Sequence, residues 1–390
     1  MKTITLDTDK LNKIIDNAAS GANVIIPVPG GSDVAAGVLT GAMIKSMEAK
    51  DSTLEIKTDS ASYTLPASEI NIDSVSQQFG QAVSLSDIKV KIQIAEPSSD
   101  MVSVTKNAAS TGEFTLVVPA VEYTISCTYG SQTVDVSRFN SYVERTIAIP
   151  DGVDPAKITT GVVVSADGTV RHVPTKITLI NGKYYAVINS LTNSTYTVIY
   201  NPVEFSDVTS HWAKSSINDM GSRMIISGVG NNNFDPDRDI TRAEFAAIAV
   251  KALGLTPGIG DKTFSDVTNT DWYSPYIKTA ASSGLVTGFA GGSFAPNDKI
   301  TREQAMTIIA RAMKLTGLSV SLTDSDISTL LAGYTDGSSA SDFAKNSIVT
   351  CIKSGIVTGT SKSTLSPKTF VTRAEVAVMV QRLLQKSDLI

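Results

Sequence analysis

Internal repetition limits this chain more than any other feature. The spans from Trp212 to Thr241, Trp272 to Thr301 and Phe343 to Thr372 are each 29 positions long, without a gap. Inside them Ile217, Ile277 and Ile348 correspond, as do Gly228, Gly288 and Gly359, and then Pro236, Pro296 and Pro367. A repeat of this size is one supersecondary unit that cannot bury its apolar face alone, so the copies must share a core. Each copy reads as helix, Gly-rich loop, helix. In the second helix Phe245, Ile248, Ala249 and Ala252 fall on one stripe, repeated by Val376, Met379, Val380 and Leu383. Three such units predict an all-α, pseudo-threefold body with grooves between neighbours.

The second helix opens with a capping box: Thr241 with Glu244, Thr301 with Gln304, Thr372 with Glu375. Directly after each threonine stands an arginine, Arg242, Arg302 or Arg373. The helix macrodipole disfavours a cation there by about 0.3–1 kcal/mol. One such residue reads as a solvated helix end paired with Asp237 or Asp239. Three at the same unfavourable place read as an anion site, in which unpaired first-turn amides and a planar guanidinium fork receive a carboxylate or phosphate.

The pattern of "FSDV", an aromatic, glycines, "F-x-P" and "ITRAE" resembles the S-layer homology domain, the wall-anchoring module of Gram-positive surface proteins. The resemblance covers about residues 203–386. It implies binding of a secondary cell-wall polysaccharide, linked to peptidoglycan, whose terminal sugar carries a pyruvate ketal. It also implies that Arg242, Arg302 and Arg373 grip that carboxylate, in an extracellular protein of the cell wall or surface layer. Asp207, Asp266 and Asp336 of the "FSDV" element are candidates for sugar hydroxyls, with helix capping as the alternative. Trp212, Trp272 and Phe343 are candidates for stacking on a pyranose ring, or else core. Gly228, Gly288 and Gly359 either take positive φ or let a ligand approach the backbone.

The copies differ. The second reads "TREQ", the third has "YTDG" and a phenylalanine for tryptophan, and the third follows an extra stretch, "LSVSLTDSDISTLLAGY". The carboxylates of "DPDRD" do not make a calcium loop, since the sixth and twelfth positions hold Ile240 and Ala246 where glycine and glutamate are needed. No metal or other cofactor is expected.

The first half predicts a different architecture. Strand, helix and strand over 1–29, a second helix in "GGSDVAAGVLTGAMIKSMEAK" with Ser32 or Asp33 as cap, then a run of short strands and two hairpins at Asp167-Gly168 and Asn181-Gly182 are legible. The expectation is a small α/β unit (1–95), a β-sandwich-like domain (96–202) with a boundary at "EPSSD", and repeats at 203–260, 261–318 and 319–390. A net charge of −5 over 390 residues argues against nucleic-acid binding. There is no run of eighteen apolar residues to span a membrane, and the opening segment lacks the apolar core of a signal peptide, as in a cytoplasmic protein or a mature or excised piece of an exported one. The two cysteines, Cys127 and Cys351, form no disulfide framework, and Cys351 reads as buried. Neither histidine, His172 or His211, pairs with a nucleophile in a recognisable motif, and no phosphate-loop spacing is present.

A non-enzymatic wall anchor whose first half acts as spacer or assembly module is therefore the leading expectation. A wall-attached glycan hydrolase using two acids in residues 1–200, and a structural protein that self-associates in a surface lattice, are the alternatives.

Overall fold

The computed structural model describes residues 2–5, 8–17, 19–28, 34–80 and 83–390. The chain divides into two compact units, Met1–Asn201 and Pro202–Ile390.

The first unit holds strands β1 (Lys2–Thr5), β2 (Asn23–Pro27), β3 (Val34–Thr40), β4 (Thr53–Lys57), β5 (Ala61–Pro66), β6 (Lys89–Ala95), β7 (Thr115–Leu116), β8 (Val121–Tyr129), β9 (Gln132–Asp135), β10 (Arg138–Ala148), β11 (Thr160–Val164), β12 (Val170–Val173), β13 (Thr175–Ile180), β14 (Lys183–Thr192) and β15 (Thr195–Tyr200). Helices α1 (Thr8–Asn17), α2 (Gly41–Glu48), α3 (Ile72–Phe79) and α4 (Ser99–Thr111) connect them. One sheet runs β1-β3-β6-β8-β15-β11-β12, with β7 on β15 and β9 on β8; the other runs β13-β14-β10-β5-β4-β2. The pairs β1/β3 and β2/β4 are parallel, and the remaining ladders are antiparallel.

The sheets share a core in which Tyr63 of one meets Tyr123 of the other edge-on, ring centres 5.2 Å apart, and Tyr123 meets Tyr196 at 5.8 Å. Arg145 of β10 is wholly buried among these rings. Its guanidinium carbon lies 4.8 Å from the Tyr63 ring centre and 4.9 Å from that of Tyr196, and it donates to the Val143 and Thr192 carbonyls at 2.8 Å. No carboxylate pairs with it among the described residues.

Two expectations for this half are corrected. The boundary at 95/96 is absent, because β6 pairs with β8 over seven residues from Lys89–Thr128 to Ala95–Glu122, and β5 pairs with β10. "EPSSD" begins a helix instead: the Ser98 side chain accepts from the Met101 amide and caps α4. The second helix is shorter than the pattern suggests, since 34–40 is strand β3 between β1 and β6, and α2 starts after Thr40. Parallel and long-range pairing leaves little local trace in sequence. Ser32 and Asp33 lie outside the described residues. The two hairpins form as their turn residues dictate, with Gly168 at φ 84°, Asn181 at 51° and Gly182 at 80°.

The second unit is helical. The first helices of the three repeats are α5 (Lys214–Ser222), α7 (Ser274–Ser282) and α10 (Asp342–Lys353); the second are α6 (Arg242–Ala252), α8 (Arg302–Leu315) and α11 (Arg373–Lys386). The extra stretch before the third repeat forms α9 (Asp324–Ala332), started by its own capping box of Thr323 and Asp326. All three expected capping boxes close, Gln304 accepting from the Thr301 amide at 3.1 Å where the glutamates do so at 2.9 Å. Helix α6 buries Ala246, Ala247 and Val250 as well as its predicted stripe, because it is enclosed on nearly every side.

At the junction of the repeats the backbone closes a ring. The Ile240 amide donates to the Val371 carbonyl, Val371 to Ile300, and Ile300 to Ile240, at 3.0, 3.1 and 3.2 Å. Around that centre Thr241 bridges to Lys299, Thr301 to Phe370 and Thr372 to Asp239. The pseudo-threefold arrangement is thus fixed by main chain as well as by packing.

Candidate functional site

The ring decides what the helix starts can do. The amides of Arg242 and Ala243 donate to the Asp298 and Pro296 carbonyls of the second repeat. Arg302 and Glu303 donate to Thr369 and Pro367 of the third, and Arg373 and Ala374 to Arg238 and Pro236 of the first. The third amide of each helix goes to the capping threonine. The expected anion nest of free first-turn amides therefore does not exist; the neighbouring repeat already occupies it.

The arginines are not solvated either. Arg242, Arg302 and Arg373 are only 9, 3 and 5% exposed, and none pairs with Asp237 or Asp239. Each reaches into the next repeat and donates through Nε to the carbonyl of its "F-x-P" element: Arg242 to Phe294 at 2.8 Å, Arg302 to Leu365 at 3.1 Å, Arg373 to Phe234 at 2.9 Å. Burial lowers all three guanidinium pKa values from their ordinary range. Acidic neighbours act the other way: Asp298 and Asp266 on Arg242, Glu375 on Arg302, Glu244 on Arg373.

Beyond Nε the three differ. Arg302 makes an ion pair with Glu375 at 2.6 Å and donates to Thr358 O at 3.3 Å. Arg373 makes one with Glu244 at 3.4 Å and donates to Ser227 O at 2.7 Å. Arg238 also holds Glu244, at 2.6 Å. The residue equivalent to those glutamates for Arg242 is Gln304, and there is no ion pair. Arg242 lies instead over the rings of Phe289 and Phe294, at 4.4 and 4.8 Å.

Trp212, Trp272 and Phe343 are 66, 59 and 61% exposed, which removes the core reading. Two cavities show where they stand. One, of about 340 Å³, is lined by Arg242 of the first repeat, Gly288, Gln304 and Arg311 of the second, and Phe343 of the third. The other, of about 420 Å³, is lined by Trp212 of the first, Arg302 of the second, and Gly359, Glu375 and Arg382 of the third. Each groove thus takes residues from all three repeats. The same cyclic order assigns Trp272 to Arg373 and the body of the first repeat.

The "FSDV" aspartates are engaged within their own repeats. Asp207 accepts from the Phe234 and Asp235 amides, Asp266 from Phe294 and Ala295, and Asp336 from Leu365 and Ser366, all at 2.7–2.8 Å. Their side chains make no capping bond to a helix among the described residues; each braces the loop whose carbonyl the neighbouring arginine grips. For Asp266 burial raises the carboxyl pKa, but the two amide bonds outweigh it and leave the value below 3.8. The glycines serve packing in that same loop. A Cβ on Gly228 would come within 2.9 Å of the Phe205 ring, one on Gly288 within 2.4 Å of Phe264, and one on Gly359 within 2.8 Å of Tyr334. Only Gly288 of the three has positive φ, at 71°.

The carboxylates of "DPDRD" each have a different partner: Asp235 pairs with Arg238, Asp237 lies 3.3 Å from a ring nitrogen of His211, and Asp239 pairs with Lys299. Nothing in the sequence pattern marks Arg311, Arg382 or Phe289 as lining a groove, and it shows Gln304 as a helix-capping residue alone. The lone Gln in an otherwise Glu-bearing motif is the sequence signal that sets Gln304 apart.

Comparison with known families matches the S-layer homology domain at residues 204–246, 263–306 and 333–377. These are three tandem S-layer homology domains. The chain is similar to an exoglucanase of Acetivibrio thermocellus, 35% identical over 198 residues, which is 51% of this chain and 18% of that protein. An amylopullulanase of Thermoanaerobacterium thermosulfurigenes is 28% identical over 388 residues, 99% of this chain and 19% of its own length. A surface-layer 125 kDa protein of Lysinibacillus sphaericus is 31% identical over 182 residues, 46% of this chain and 14% of that protein. The chain therefore spans a fifth or less of the length of these relatives. The S-layer homology domains and the surface-protein relatives mark a cell-wall-attached extracellular protein, and cell-wall anchoring is the function they support. No helix among the described residues is long and apolar enough to cross a membrane.

Proposed function

We propose that the S-layer homology domains hold this chain non-covalently to an anionic, pyruvylated secondary cell-wall polysaccharide, bound in the grooves between repeats, while residues 1–201 serve as spacer or assembly module. The observation that carries the reading is the make-up of the grooves. A buried arginine from one repeat, a glycine loop from a second and an exposed aromatic side chain from the third converge on one cavity. A pyruvate ketal sets a carboxylate rigidly on a pyranose ring, so charge and an apolar sugar face arrive together. A guanidinium fork matches the first, and an aromatic face matches the second. The relatives are named for unlike roles, an exoglucanase, an amylopullulanase and a surface-layer protein. A shared stretch among proteins of unlike chemistry favours attachment over one common reaction.

The test is calorimetric titration of the full chain with purified wall polymer, before and after mild acid removal of its ketal groups. Heat of binding is expected with the intact polymer and lost with the stripped one. The Arg242→Ala/Arg302→Ala variant is expected to lose it too. Equal affinity for intact and stripped polymer would sink the proposal.

A further inference from the structure

The three junctions that hold Arg242, Arg302 and Arg373 are built alike at Nε and charged differently beyond it. In two of them the capping-box glutamate of the neighbouring repeat already sits against the arginine, Glu375 at 2.6 Å from Arg302 and Glu244 at 3.4 Å from Arg373. Each of these arginines also spends a terminal nitrogen on a backbone carbonyl. Arg242 has neither. Among the described residues its side chain makes one hydrogen bond, from Nε to Phe294 O, and neither terminal nitrogen has a hydrogen-bond partner.

A second cation, Arg311, lines the same cavity, as Arg382 does the one at Arg302, but here no carboxylate stands among the lining residues. A largely buried guanidinium without a close counter-charge is costly. The faces of Phe289 and Phe294 offset part of that cost, and an incoming carboxylate would offset the rest. An acid entering at Arg302 must instead displace, or share the cation with, a carboxylate already 2.6 Å away.

We propose that the Arg242 groove alone grips the acidic sugar, and that the grooves at Arg302 and Arg373, where a glutamate already pairs with the arginine, accept uncharged residues of the polymer or none. This inference rests on the anchoring reading above. Gln304 is then the specificity-determining residue: it keeps the helix start of its repeat by closing the capping box while withholding the charge that would fill the site.

The probe is a methyl hexopyranoside bearing a 4,6-pyruvate ketal, with its methyl ester as the neutral counterpart, titrated against the full chain and followed by ligand-observed NMR and calorimetry. One ketal per chain is expected, with the ester at least about tenfold weaker. Gln304→Glu, a change to the residue used in the other two boxes, is expected to lose about tenfold or more in ketal affinity with an unchanged or raised melting temperature. Glu375→Gln is expected to raise the stoichiometry from one to two. Two or three ketals bound by the unaltered chain, or a Gln304→Glu variant that binds as well as its parent, would overturn the groove assignment. Whole-polymer binding that still depends on the ketal would in those cases leave the anchoring reading standing. If neither probe nor polymer binds, both fall.

Discussion

A guanidinium far from water asks for company, and this chain supplies it in two ways. Arg302 and Arg373 are matched by glutamates, whereas Arg145 in the first unit is matched by rings and carbonyls alone. Removing Arg145 would take one donor each from the Thr192 carbonyl and from Asn193 Oδ1, which lies 3.1 Å from its Nη2, leaving them the Tyr196 and Tyr63 hydroxyls, and would open a cavity between the sheets. Arg145→Ala is expected to cost about 3–5 kcal/mol in denaturant unfolding of the first unit. A loss below about 1 kcal/mol would show that the ring cluster closes over the gap. At this scale the sequence was informative about position and poor about environment. It marked Arg242, Arg302 and Arg373 as misplaced on their helices, yet it gave no sign that they are buried. Burial depends on a loop some 52 to 139 residues distant in the chain.

At the scale of elements, the acidic groups that brace the repeats, within each and between neighbours, set a pH limit. Glu244 is raised by burial, but Arg238 and the Thr241 amide more than reverse this, so its carboxyl lies below the ordinary 4.5. Asp336, held chiefly by the Leu365 amide, and Asp266 lie below 3.8. A carboxyl with a lowered folded value adds stability above its unfolded value and forfeits it as pH falls through the folded one. The second unit is therefore expected to hold constant stability down to about pH 4.5, then weaken steadily below that. Helicity followed against denaturant at pH 6, 4 and 3 checks this, and stability that rises on acidification would refute it. Elements with local signals were legible: capping boxes, the two glycine hairpins, the helix stripes. The bracing of residues 234–235, 294–295 and 365–366 by aspartates some 28 residues earlier was not, because the same Asp-containing tetrapeptide serves equally well as a helix cap.

For the whole molecule, the repeats were legible because a register of 29 positions needs no knowledge of pairing. The single first unit was not. Its two sheets join strands from both sides of residue 95, and nothing in a strand's own residues names its distant partner. The ring of Ile240, Ile300 and Val371 makes the second unit one cooperative body, unlike an open stack in which each repeat touches only its neighbours. Deleting residues 319–390 is expected to unfold the remaining two repeats as well, seen as loss of their helical circular dichroism. Two repeats that keep their full helicity would contradict this.

An anchor is judged by how it fails under load. A row of repeats yields link by link, since the end link is held on one side only and peels at low force. Here the repeat entered at Pro202 is stitched to both of the others, Ile240 donating to Val371 and accepting from Ile300. Tension arriving at that point must shear several strands of main chain together, so the tether would hold up to a threshold and then let go all at once.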